Sequence, residues 1–102
     1  MNKQKEIFRL TKEIFPNETI AEQLLVVVYE LGDLAKCIKN MDRYPRDRRL
    51  YRVEAKKAIA DLITQLRLTC ELLGFSFEEL DSFGYQAWLE KFNYYRKERK
   101  KY

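Results

Sequence analysis

The chain contains no histidine. That removes imidazole acid–base chemistry, Ser–His and Cys–His nucleophile pairs, and His-ligated zinc. Any catalysis must rest on carboxylates, Lys, Tyr, Cys or a metal ion. Glycine (3) and proline (2) are too few for a turn-rich all-β fold or a disordered chain. The two cysteines, Cys37 and Cys70, lack Cys-x-x-Cys spacing and fall in helical patterns. They read as reduced, buried thiols of a cytoplasmic protein, with an interhelical disulfide as the alternative. The polar start Met1-Asn-Lys-Gln-Lys-Glu is followed by no apolar core of a signal peptide. The longest unbroken apolar run, Leu24 to Tyr29, is far too short to span a bilayer.

What is present are helix formers: Leu, Ala, Glu, Lys and Arg dominate, together with Ile. At 102 residues the chain is expected to form one all-α domain over 1–102. A core this small is incompletely buried in a lone copy, so association is plausible on size alone. Apolar spacing predicts a short helix over 3–15, closed by Pro16. Thr19-x-x-Glu22 is a capping box opening a second helix, about 19–41, with the core stripe Ile20, Leu24, Val27, Leu31, Leu34 and Ile38. Pro45 breaks the chain. A third helix, about 47–73, carries Ile59, Leu62, Ile63, Leu66, Cys70 and Leu73 and stops at Gly74. Ser76-x-x-Glu79 opens a fourth, about 77–98, in which Gly84 is a weak point.

Two acidic motifs stand out. Glu30-Leu31-Gly32-Asp33 lies on helix two, and Ala58-Ile59-Ala60-Asp61 on helix three. Glu30 and Asp33 are one turn apart. If the helices pack antiparallel, both acids face Asp61 across the seam. Three carboxylates plus water suit Mg²⁺ or Mn²⁺, hard cations that prefer oxygen. The bland alternative is a set of solvated or Lys-paired acids, with Lys57 one turn before Asp61 as the available partner.

Around these motifs the chain resembles the MazG-like, all-α NTP pyrophosphohydrolases. Tyr29-Glu30-Leu31-Gly32-Asp33-Leu34-Ala35-Lys36-Cys37-Ile38 is similar to the family's Glu-Glu-x-Gly-Glu-Leu-x-x-Ala-Ile segment, and Ala58-Ile59-Ala60-Asp61-Leu62-Ile63 to its Glu-x-Ala-Asp-Val-Leu segment. Residues 68–79 resemble the stretch leading into its last helix, and Glu90 to Arg96 its closing Glu-Lys-x-x-x-x-Arg piece. The resemblance spans roughly residues 20–97 in the family's order. It implies a four-helix bundle, completed by a homodimer or homotetramer, and Mg²⁺-dependent cleavage of a nucleoside triphosphate between its α and β phosphates. By resemblance, Glu30, Asp33 and Asp61 are the catalytic metal ligands, with Glu54 or Glu22 as a further, water-mediated acid. Lys91, Arg96 and Asn93 are the phosphate contacts. Tyr29 and Ala58 stand where the family has Glu, and Asp33 is one methylene shorter than the family's Glu. These departures leave a second reading, a catalytically silent member that binds nucleotide or protein. The basic tail Arg96-Lys97-Glu98-Arg99-Lys100-Lys101 and the connector Asp42-Arg43-Tyr44-Pro45-Arg46-Asp47-Arg48-Arg49 with Leu50-Tyr51-Arg52 raise a third, nucleic-acid binding through phosphate contacts and stacking, set against a solvated connector and a frayed helix end.

Overall fold

The computed structural model describes residues 2–100, and its regular structure is entirely helical: α1 (Lys3–Ile14), α2 (Ile20–Arg43), a single 3-10 turn (Pro45–Asp47), α3 (Arg48–Leu73) and α4 (Phe77–Lys100). No described helix is long and apolar enough to cross a membrane. The local stop and start signals act as their chemistry dictates. Asn2 caps α1 by accepting from the Lys5 N–H. Thr19 and Glu22 form the reciprocal capping box of α2. Gly74 ends α3 at φ 78°, a left-handed conformation that a side chain would disfavour. The N–H of Glu79 donates to the Ser76 hydroxyl at 3.4 Å where α4 begins. α4 runs through Gly84 without a break. The connector is tighter than expected: α2 continues to Arg43, and Pro45 sits at the head of the 3-10 turn, where its missing N–H costs nothing.

α2 and α3 form the central antiparallel pair, and α1 lies along α3. Polar side chains fix this arrangement. Gln23, 1% exposed, donates from Nε2 to the Gln65 carbonyl (3.0 Å) and side chain (2.9 Å), and more weakly to Thr69. Gln4 ties α1 to the α3–α4 corner. Its Nε2 donates to Glu71 (2.9 Å) and to the Phe75 carbonyl (2.6 Å), and its Oε1 accepts from the Phe77 N–H (2.8 Å). α4 is held near its start, where Arg67 pairs with Glu78 and stacks 4.3 Å from the Phe77 ring centroid. No residue of α4 is buried.

The expected core stripes are only partly covered: Cys70 is buried and Val27, Leu34 and Leu62 are half-buried. Ile20, Leu24, Leu31 and Ile38 on α2 are about half exposed, as are Ile59 and Leu73 on α3; Ile63 and Leu66 are nearly so. The buried apolar residues among those described are Ala55, Ala58, Leu68 and Cys70. The polar flank joins the seam through small Ala58 and the Gln23 hydrogen bonds. The radius of gyration is 17.7 Å, against about 13 Å for a compact domain of this length.

Candidate functional site

The antiparallel register follows from Gln23. Because it meets Gln65 and Thr69, each turn farther along α2 meets one turn earlier along α3. Glu30 is therefore level with Asp61, Asp33 with Ala58, Cys37 with Glu54, and Asn40 with Tyr51. These positions line one open cleft of about 350 Å³, within the range of small-ligand sites. The structure thus brings together the four carboxylates singled out in the sequence, Glu30, Asp33, Asp61 and Glu54.

At the Glu30–Asp61 end of the cleft like charges meet without an ion-paired cation. Glu30 has its carboxyl pushed above the ordinary range, first by burial, then by Asp61 and by Asp33. Neither Glu30, Asp33 nor Asp61 forms an ion pair with a Lys or Arg among the described residues. Lys57 turns to Glu54 instead, at 3.8 Å, and both side chains of that pair are substantially exposed. It forms no ion pair with the trio. The three carboxylates are not drawn together into a ligand shell: no described group of His, Cys, Asp and Glu is close enough to hold a metal ion as it stands. Their chemistry fits a hard cation, and their rotamers would have to turn inward to meet one.

The other residues named from the sequence lie elsewhere. Lys91, Asn93 and Arg96 belong to the later turns of α4 and do not line the cleft. Arg96 donates to the Asn93 side chain at 2.8 Å and lies over the Phe92 ring at 5.1 Å. Glu22 is engaged in the α2 cap, two turns before Glu30. Tyr29 is 68% exposed and outside the cleft. Both thiols are free; Cys70 is buried and Cys37 is half-buried on the cleft wall rather than in a core.

Sequence reasoning missed Lys36, Asn40 and Tyr51 as cleft residues. The signal was available: Asn40 follows Asp33 and Lys36 on the same face of α2 at helical spacing. Its partner on α3 required the register, which no local pattern supplies. Comparison with protein-family models, with curated proteins and with solved structures returns no match.

Proposed function

We propose that the protein is a divalent-cation-dependent nucleoside triphosphate pyrophosphohydrolase. The observation that carries this reading is the cleft between α2 and α3, where Glu30, Asp33 and Asp61 lie together and none of them is ion-paired with Lys36 or Lys57 of the same cleft. The order of the surrounding segments, similar to that of the MazG-like enzymes, supports the same reading. Glu30, Asp33 and Asp61 would hold the ion, with Glu54 at the rim. When bound, Mg²⁺ or Mn²⁺ offsets phosphate charge and makes water more acidic. Lys36 and Lys57, on opposite walls, supply the chain's own cations to a phosphate chain. The reaction is attack of water on the α phosphorus. The α–β P–O bond breaks, and a nucleoside monophosphate and pyrophosphate leave.

The same proposal includes a second copy of the chain. The accessible surface is 8653 Å², whereas a folded monomer of this mass exposes about 6,100 Å². The excess is well above the roughly 800 Å² per partner of a standard interface. Exposed apolar side chains on the stripes of α2 and α3 and the aromatics of α4 contribute to it, with Phe83 at 71% and Trp88 at 56% exposure. A homodimer or homotetramer would cover these faces and complete the bundle. Lys91, Asn93 and Arg96 would reach phosphates only if the α4 of another copy closes over the cleft.

The test is pyrophosphate release from a panel of nucleoside triphosphates with Mg²⁺ or Mn²⁺. Release that disappears in Asp33→Ala and in Asp61→Ala supports the hydrolase. Nucleotide-dependent thermal stabilisation without release replaces it with a silent binding module. Salt-dependent nucleic-acid binding with no nucleotide effect replaces both.

A further inference from the structure

The cleft is polar along its length in an ordered way. Its Glu30–Asp61 end is acidic, Lys36 and Lys57 stand at its middle, and Asn40 and Tyr51 close the end nearest the connector. From Glu30 to Asn40 the α2 wall runs about 15 Å, enough for a phosphate chain, a sugar and a base laid end to end. The Asn40–Tyr51 end lies away from Glu30, Asp33 and Asp61, with Glu54 one turn off, and Tyr51 is the aromatic residue among those lining the cleft. Tyr51 is half-buried, and its ring is 6.1 Å from that of Tyr44, which steadies it from the connector side. The Asn40 side chain makes no hydrogen bond to another described residue, so its amide retains both a donor and an acceptor for a ligand.

From this we infer that Asn40 and Tyr51 form the nucleobase subsite of the cleft and fix the direction in which a nucleotide lies in it. Tyr51 stacks on the base, Asn40 hydrogen-bonds to its edge, and the phosphates run past Lys36 and Lys57 toward the carboxylates. This inference rests on the nucleotide reading proposed above, but it concerns recognition and not the bond that breaks. Tyr51 and Asn40 are specificity residues in this scheme and take no part in proton transfer.

The experiment compares binding of ATP, GTP, CTP and UTP with binding of inorganic tripolyphosphate, all with Mg²⁺, by titration calorimetry. The native chain should bind at least one nucleotide more tightly than tripolyphosphate. Tyr51→Ala should weaken nucleotide binding about tenfold, from lost stacking, and leave tripolyphosphate affinity unchanged. Tyr51→Phe should restore the difference, because the ring is kept. Asn40→Ala should reduce discrimination among the four bases. Circular dichroism of each variant confirms that the helices persist. Equal affinity for nucleotides and tripolyphosphate, or nucleotide binding untouched by Tyr51→Ala, would overturn the subsite while leaving hydrolysis at the carboxylate end intact. Tyr51-dependent nucleotide binding with no pyrophosphate release would overturn the reaction and keep the subsite. If neither ligand binds, both readings fall.

Discussion

Leu24 and Ile38 lie on one stripe of α2 and are 56% and 51% exposed in the single chain. Replacing both by Lys separates two possibilities for that stripe. In a free monomer each side chain already reaches water, and the change should cost within about 0.5 kcal/mol. In an assembly that covers the stripe, each residue still has roughly half its surface to bury, worth about 1 kcal/mol. A twofold interface loses that contribution from two positions on each of two chains, about 4 kcal/mol in all, before the cost of confining four ammonium groups. That corresponds to roughly a thousandfold weaker association. Light scattering reads the result directly. The native chain should give a multiple of its 12.4 kDa mass, and the double variant should give the single-chain mass with its helical circular dichroism retained. A native mass of one chain at every concentration, with a melting temperature independent of concentration, would refute the reasoning.

Gln4→Ala removes three hydrogen bonds and leaves the Phe77 N–H and Phe75 carbonyl without their partner; stability should fall by about 2 kcal/mol, read by urea denaturation. Asp61→Asn relieves one of the charges that raise the Glu30 pKa. A carboxyl whose folded pKa is raised costs stability as pH climbs from its ordinary value through the raised one. The variant should therefore melt higher than the native chain at neutral pH, by no more than about 0.5 kcal/mol because the pair is water-screened. The gain should vanish in acid below the ordinary carboxylate range. Cys37 lines the cleft while Cys70 is buried, so a magnesium nucleotide should slow alkylation of Cys37 specifically, as mass spectrometry of the labelled peptides would show.

Much of the fold was legible because its boundaries are written in local chemistry. Thr19, Glu22, Ser76 and Gly74 each satisfy or end a helix through neighbours a few residues away, and the elements fall within a residue or two of expectation. The acidic cleft was legible for a related reason. Glu30 and Asp33 share a face by helical spacing, and an antiparallel partner brings Asp61 to them. Periodicity found the core only in part: Cys70 is buried, but most of each stripe is not. Apolar spacing identifies a face that wants cover but not what covers it, and in one chain the stripes through Leu24 and Ile59 remain open. The buried polar ties were invisible for the opposite reason. Gln4 lies between two lysines, and Gln23 has the composition of a solvent-facing residue; each is buried by partners 42 or more residues away in sequence. The cleft's far end, Asn40 and Tyr51, depended on the same long-range register.

The central claim is that the Glu30–Asp33–Asp61 end of the cleft is completed by a divalent cation. Crystals of the protein soaked in Mn²⁺ test it most directly through the metal's anomalous scattering. The account predicts a peak between α2 and α3 within coordination distance of all three carboxylates, lost in Asp61→Asn. A cleft without the metal, with the Lys57 ammonium turned from Glu54 to bridge Asp33 and Asp61, would contradict it.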